Sequence, residues 1–285
     1  MIWQTSRFDI DLETPRVMGI VNLTPDSFSD GGRHDSTQAG LRHAEQLLRD
    51  GAHILDIGGE STRPGSPAVP ADEEWRRIEG FLREAVRWNM PLSVDTYKPE
   101  TMQKALDLGV DIVNDIWALQ QPGAEAAVAA HPRCGVCLMH MHRDPQTMQK
   151  APMSGDVLPE VAAFLTQRAG ALRAAGVTQA RIVLDYGIGF GKTVEQNFSL
   201  LARQRELLTL GYPLLAGWSR KSSLGAVLAR GGEAPEPAQR QAASVAAALL
   251  AVERGARIVR VHDVRETVDA LCVLGHTQAA DQSAA

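Results

Sequence analysis

Cysteine is scarce in this chain, with three residues at Cys134, Cys137 and Cys272. A count this small and odd excludes a disulfide framework, so packing must hold the fold, and a reducing, cytoplasmic setting is expected. Long hydrophobic runs are absent too: no segment approaches the roughly 20 apolar residues that span a bilayer. Residues 1–15 carry Arg7, Asp9, Asp11 and Glu13 where a signal peptide would have its apolar core, so neither export nor membrane association is expected. Basic charge is not in excess. The net charge is −5 with no basic tail, which argues against recognition of nucleic acid through its phosphate backbone. A small anionic substrate stays open, since it needs only a local cluster of cations. Low-complexity linkers are missing as well, and 285 residues suit one large α/β domain.

What is present is a repeated order of strand, polar loop, helix and glycine. The strands read as Val17–Asn22, His53–Ile57, Leu92–Asp95, Ile112–Asn114, Gly135–Met139, Ile182–Asp185, Pro213–Ala216 and Arg257–Val261. Each is short and mostly apolar, as parallel strands covered on both faces must be. Helical periodicity occupies Gln38–Arg49, Glu73–Trp88, Val157–Ala175, Glu195–Leu210, Gln239–Glu253 and Val264–Leu274, and Ser222-Ser223 opens a further helix. Gly51, Gly109, Gly176, Gly211 and Gly255 stand where left-handed C-terminal caps belong. Eight such units predict an α/β fold, a single (β/α)8 TIM barrel rather than an open doubly wound sheet. Residues 8–12 alternate apolar and charged and add a short N-terminal strand or hairpin. The expected organisation is an extension at 1–15, the barrel at 16–275 and a disordered tail at 276–285.

Polar groups gather where the strands end. Two long loops, Thr24 to Gln38 and Gly58 to Asp72, have the size and the Ser, Thr, Arg and Gly content of ligand-binding segments. The run Gly187-Ile188-Gly189-Phe190-Gly191-Lys192-Thr193 is not a Walker loop, because Tyr186 stands where the first glycine belongs. It reads instead as a tight turn that exposes Asp185, although a simple turn explains neither Asp185 nor Lys192. Asp56, Asp95, Asn114 and Asp185 all end apolar strands, where a carboxylate is costly unless paired. Pairing with Arg or Lys would account for any one of them; four on one face suit a planar polar ring with a guanidine-like edge. Arg63, Lys221, Arg260 and His262 are cations that a barrel would bring together, able to hold a diphosphate or a carboxylate. Asn22 and Asp56 offer hard oxygens, and Mg2+ needs only one or two of these beside substrate phosphates. The Cys134, Cys137, His140 and His142 group lacks the second pair of a zinc site and reads as buried packing. Nothing marks a nucleophile elbow.

These motifs, in this order from about Arg16 to Gly275, resemble those of the dihydropteroate synthases. Met18-Gly-Ile-Val-Asn-Leu-Thr-Pro-Asp-Ser-Phe-Ser-Asp-Gly-Gly32 and Asp56-Ile-Gly-Gly-Glu-Ser-Thr-Arg-Pro-Gly65 are similar to the family's two signatures. The resemblance implies a barrel enzyme, usually a homodimer, that condenses 6-hydroxymethyl-7,8-dihydropterin diphosphate with 4-aminobenzoate to give 7,8-dihydropteroate and pyrophosphate, with sulfonamides competing for the 4-aminobenzoate site. It implies pterin contacts from Asp95, Asn114, Asp185, Lys221, Met139, Phe190, Gly217 and Arg260. It implies diphosphate contacts from Asn22, Arg63, Arg260 and His262, with Asn22 near Mg2+. It implies a 4-aminobenzoate side formed by Phe28, Thr62, Arg63, Pro64, Lys221 and Ser222, and catalytic roles for Arg63, Lys221, Arg260 and His262. One departure is Tyr186, where the family commonly has Pro; it loosens the local backbone constraint. On the residues alone three other readings stay open. A pterin-binding methyltransferase would not need Ser61-Thr62-Arg63-Pro64 or the Arg260–His262 anion site. A catalytically silent pterin-binding paralogue acting as a partner protein is a further reading, and the intact loops argue against it. A sugar-phosphate barrel enzyme would not need the ring-binding carboxylates.

Overall fold

Alternation with a period of two decides how this chain is divided between the inside and the outside of a barrel. The computed structural model describes residues 1–24, 33–62, 65–144, 147, 148 and 150–284. An antiparallel hairpin of β1 (Ile2–Gln4) and β2 (Asp9–Asp11) comes first. Eight parallel strands follow: β3 (Arg16–Asn22), β4 (Ile54–Gly58), β5 (Leu92–Asp95), β6 (Ile112–Asp115), β7 (Gly135–Met139), β8 (Ile182–Asp185), β9 (Leu214–Ala216) and β10 (Ala256–Val261). They close into a barrel in chain order, with β10 paired to β3. The helices are α1 (Arg33–Arg49), α2 (Ala71–Ala85), α3 (Pro99–Leu108), α4 (Ala124–Ala130), α5 (Leu158–Ala174), α6 (Val194–Ala202), α7 (Ser222–Leu228), α8 (Gln241–Glu253) and α9 (Val264–Ala284). None of them is long and apolar enough to cross a membrane.

One set of strand residues faces the helices. Val17, Val21, Leu55, Ile57, Val94, Val113, Val136, Leu138, Leu184 and Val259 belong to the large core shared with the helix faces. The alternate set fills the barrel. Met18, Ile54, Ile112, Cys137, Val183, Leu215 and Ile258 form a separate cluster with Trp3, Ile10 and Leu12 of the hairpin region. The hairpin is thus a plug for the N-terminal end of the barrel. Gly135 makes room for it, since a Cβ there would lie 3.1 Å from Trp3 Nε1. The indole N–H donates to the Arg181 carbonyl at 2.9 Å. Arg181 in turn donates to the Cys134 and Val128 carbonyls, so Cys134 sits in this packed floor, its thiol pushed up by burial.

Two residues beyond most of these interior apolar side chains the next interior position is polar or glycine: Asp56, Asn114, Asp185, Gly217 and Arg260 follow Ile54, Ile112, Val183, Leu215 and Ile258, while the apolar Met139 follows Cys137. All these positions therefore gather at the C-terminal mouth. The five glycines expected as helix caps all have positive φ, between 77° and 105°.

Several boundaries differ from expectation. α1 begins at Arg33 and α2 at Ala71, shortening the loops before them. The helix expected over 195–210 is α6 followed by a 3-10 segment, Gln204–Leu210. α3 and α4 were implied by the eight units, and α3 by Gly109 as its cap, but were given no bounds; both are short, and α3 opens on Pro99. Residues 276–284, expected as a disordered tail, continue α9. That stretch has neither Gly nor Pro and is rich in Ala and Gln, which favour helix.

Replacing Trp3 by Ala would empty the plug. We expect Trp3→Ala to lower the unfolding free energy in urea by about 3–5 kcal/mol; an unchanged midpoint would mean the hairpin does not seal the barrel.

Candidate active site

A guanidinium at the mouth is gripped from two other strands. Arg260 on β10 donates from Nε to Asp56 Oδ2 on β4 and from an Nη to Asp95 Oδ2 on β5, both at 2.6 Å. Asn114 on β6 also donates to Asp56 Oδ2, at 3.1 Å. Asp56 is fully buried, whereas the Arg260 side chain is 22% exposed, so the cation covers the carboxylate and keeps part of its own surface accessible. Burial works against the charge on Arg260, but Asp56 and Asp95 outweigh it and hold its pKa above the ordinary arginine value. Burial pushes the Asp95 carboxyl up, and the guanidinium opposes that shift. With Arg260 fixed as a cation, the ion-paired form of Asp95 is the one this geometry stabilises.

The opposite wall is built by the Gly-rich turn after β8. Asp185 Oδ1 accepts from Gly187 N at 2.7 Å, and its Oδ2 is 3.9 Å from where a Cβ on Gly217 would lie. The glycine therefore leaves the cavity open in front of the carboxylate. Burial raises the Asp185 pKa, opposed by the Gly187 hydrogen bond and by Lys221 and Lys192. Burial lowers the Lys221 pKa, opposed by Asp185. The Lys221 ammonium also lies 4.2 Å from the centre of the Phe190 ring. Phe190 and Met139 form a small apolar cluster with Ile116, Met141 and Met148, against which Tyr97 and Trp117 pack. This gives the mouth one flat, apolar side.

His262 follows β10 beside a serine. Ser219 Oγ accepts from His262 N at 3.1 Å and lies 2.9 Å from His262 Nδ1. Arg220 pairs with Asp263 at 2.6 Å, which ties the loop after β9 to the start of α9. Lys221 is the N-cap of α7, and Ser222 at its first position is exposed.

The stem of the loop after β4 is clamped as well. Gly59 packs so closely on α2 that a Cβ would come within 2.9 Å of the Glu74 carbonyl, and Arg77 donates to the Gly59 carbonyl at 2.9 Å. Glu60 pairs with Lys98 and accepts from Tyr97 at 2.9 Å. Glu74 accepts from Thr96 and Thr101 at 2.9 and 2.6 Å. Thr62 is half-buried just beyond this stem. The expectations for Phe28, Arg63 and Pro64 lie outside the described residues.

Asn22, Asp95, Asn114, Met139, Asp185, Phe190, Gly217, Lys221, Arg260 and His262 are thus brought to one end of the barrel by seven strands and their following loops. Trp218 is 1% exposed and packs on Phe198 among the helices, whereas Trp117 stands at the mouth against Tyr97. Tyr186 is buried on the helix side, its hydroxyl donating to Gln204 at 2.7 Å. The sequence reading gave no positioning role to Ser219, Glu60 or Lys98, nor to Asp56 as the anchor of Arg260. The period of two was the available signal for Asp56 and Ser219, which continue the interior rows of β4 and β9.

A barrel mouth that combines buried carboxylates with a cation cluster has the chemistry of enzymes that hold a polar heterocycle and an anion together. The chain matches the pterin binding enzyme family over residues 18–262. It is 52% identical over 273 residues to a dihydropteroate synthase of Neisseria meningitidis serogroup C, covering 95% of each chain. It superposes on a Xanthomonas albilineans dihydropteroate synthase solved with 4-aminobenzoic acid, with a TM-score of 0.90, 48% identity and coverage of 98% and 99% of the two chains. It also superposes on a Burkholderia cenocepacia dihydropteroate synthase complexed with 7,8-dihydropteroate, with a TM-score of 0.88, 49% identity and coverage of 99% and 98%. The chain belongs to the dihydropteroate synthase family of pterin-binding enzymes.

One buried histidine makes stability depend on pH. Burial and the Lys192 ammonium lower the His140 pKa to about 2. In the unfolded chain it would titrate near 6.5. Below that pH the unfolded state takes up a proton that the folded state refuses, so stability falls with pH, by about 1.4 kcal/mol per unit from this group alone. We expect His140→Gln to flatten the acid side of the urea-stability profile between about pH 6.5 and 4.5; an unaltered slope would contradict the neutral buried imidazole.

Proposed function

We propose that this chain joins 6-hydroxymethyl-7,8-dihydropterin diphosphate to 4-aminobenzoate, releasing 7,8-dihydropteroate and pyrophosphate in folate biosynthesis. The observation that carries the reading is the Arg260 guanidinium held between Asp56 and Asp95, with Asp185 and Lys221 close enough to share its electrostatic field. The ligands of the two related structures, 4-aminobenzoate and 7,8-dihydropteroate, support it.

In this reading the aminopyrimidine edge of the pterin donates to Asp185, Asn114 and Asp95 bind the rest of its polar rim, and the Met139–Phe190 side covers its face. The carbon–oxygen bond to the diphosphate breaks as the electron-rich ring spreads the developing positive charge. The arylamine nitrogen attacks that carbon and loses a proton, and pyrophosphate departs. An arylamine is unprotonated at neutral pH, so positioning and stabilisation of the leaving anion matter more than a strong base. Arg260 and His262 meet the diphosphate, joined by Arg63. Thr62, Pro64, Phe28, Lys221 and Ser222 hold 4-aminobenzoate, where sulfonamides would compete. The loops after β3 and β4 exclude water.

Mg2+ fits the donor set. Asn22 Oδ1 lies 3.7 Å from where a Cβ on Gly58 would be, so a hard oxygen stands beside a position that glycine leaves without a side chain, next to Asp95 Oδ2, which is bonded to Arg260. Asn22 would hold the ion, which when bound supplies charge neutralisation to the diphosphate. Three free thiols, two of them buried, suit the cytoplasm. The exposed Val227, Leu228, Leu250 and Val273 on α7, α8 and α9 suit a homodimer face. Sedimentation should give twice the chain mass, and Val227→Lys should shift it toward the monomer; a monomeric parent chain would exclude the dimer.

The direct test is pyrophosphate release from the dihydropterin diphosphate, with and without 4-aminobenzoate. Release that requires 4-aminobenzoate and yields dihydropteroate supports the reading. Pterin binding without product would favour a silent paralogue or a methyltransferase. We expect His262→Ala to lower kcat about 100-fold while the pterin Kd changes less than about threefold; a loss confined to binding would remove His262 from leaving-group stabilisation.

A further inference from the structure

The turn after β8 contains a buried cation for which the proposed reaction has no direct use. Lys192 is 3% exposed. Its ammonium donates to the Gly187 carbonyl at 2.8 Å and the Phe190 carbonyl at 3.2 Å, and lies 2.9 Å from His140 Nδ1. The His140 carbonyl is a longer contact at 3.5 Å. An ammonium has three N–H donors and no acceptor. Burial lowers the Lys192 pKa to about 7, opposed by Asp185; in its ammonium form the three near contacts use all of its donors, and His140 Nδ1 is then the accepting nitrogen, with the ring proton on Nε2. A buried ammonium is tolerated only when it is solvated in this way. Here two of the three acceptors belong to the turn that Lys192 itself ends, and the third to the residue that follows β7.

The same junction explains the glycines. Gly187, Gly189 and Gly191 have φ of 69°, 81° and 71°. A Cβ on Gly187 would fall 1.8 Å from the His140 carbonyl oxygen, and one on Gly191 would fall 2.6 Å from His142 Cβ. The turn is pressed against residues 140–142, with Lys192 fastening the two together. Gly189 N donates to Asn197 Oδ1 at 3.0 Å, and Asn197 donates to Ser223 Oγ at 2.9 Å, which secures the other side of the turn to α7. His140 is held from behind by an edge-on contact with Phe164 on α5, with centroids 5.0 Å apart. The parts of the site carried by this turn are Asp185, bonded to Gly187 N, and Phe190, under the Lys221 ammonium.

We propose that Lys192 is a positioning residue for ring recognition: through the Gly187 and Phe190 carbonyls and His140 Nδ1, its ammonium fixes the turn that presents Asp185 and Phe190 to a planar aminopyrimidine. The identity of that ring as a pterin rests on the proposed function; the clamp itself does not.

The test compares Lys192→Met, of similar volume without donors, with His140→Leu, which removes the acceptor, and His140→Gln, which keeps one. The probe is the dihydropterin diphosphate, titrated calorimetrically, followed by steady-state kinetics at saturating pterin. Lys192→Met and His140→Leu should each raise the pterin Kd about tenfold or more, and His140→Gln by less than about threefold. The KM for 4-aminobenzoate should stay within about twofold of the parent value. A merely structural role would lower Tm and change both substrates alike. Nitrogen-15 spectra of the ligand-free protein should show His140 Nδ1 unprotonated near pH 6 in the parent chain, and its signal should move in Lys192→Met as the donated hydrogen bond is lost. An unchanged pterin Kd in folded Lys192→Met, or in His140→Leu should the first not fold, overturns the proposal. Absence of pterin binding by the parent chain would instead overturn the functional reading, while the nitrogen-15 comparison would still support or contradict the clamp.

Discussion

The ion pair of Arg260 with Asp56 and Asp95 is the interaction on which the mouth of this barrel depends. A fully buried carboxylate such as Asp56 is tolerable only with a cation and hydrogen bonds at hand, and β10 delivers both the charge and its direction. The guanidinium reaches past β3, its own neighbour in the sheet, to carboxylates on β4 and β5. Its orientation is therefore set by three strands rather than by a loop. Removing one member would leave another charged and buried, and such losses are typically about 3–5 kcal/mol. A site built this way is preorganised: the donors that meet a substrate are in place before it arrives.

The two ends of the barrel divide the work. At the N-terminal end Trp3, Ile10 and Leu12 seal an apolar floor, and stability resides in packing. At the other end most of the same interior rows turn polar, and the protein accommodates buried, paired charge there. Cys137 marks the boundary, its thiol pushed up by burial and by the carboxylates of Asp185 and Asp56 nearby. The clamp at Lys192 repeats the device used at Arg260. In each case a cation with few degrees of freedom joins segments from different strands, one across β4, β5 and β10 and the other across the ends of β7 and β8.

Much of this was legible in the sequence because the governing periods are short. Parallel strands buried on both sides leave unbroken apolar runs, so three of the eight barrel strands were read with the observed bounds, and the others differ by a residue or two. Left-handed caps demand glycine, which made the five helix ends visible. The hairpin was half seen: β2 alternates apolar and charged, whereas β1 is three residues long and is held through Trp3. α4, seven residues long, is too short to show a helical period, whereas α3 buries Thr101, Met102, Ala105 and Leu106 at helical spacing that was not read. The convergence of the strand-end candidates on one mouth could be read because their period-two rows meet in any barrel. Roles that depend on distant partners were not visible. Nothing local in Gly-Phe-Gly-Lys reveals that the lysine turns inward to a histidine 52 positions away, or that Glu60 meets Lys98.

A double-mutant cycle on Asp56 and Arg260, read as the Kd of the dihydropterin diphosphate, tests the central claim most directly. If the pair acts as one unit, Asp56→Asn and Arg260→Met each weaken binding, and the double variant is no weaker than the worse single one. Losses that add would show that the two side chains contribute separately, and would contradict an account in which the ion pair organises the site.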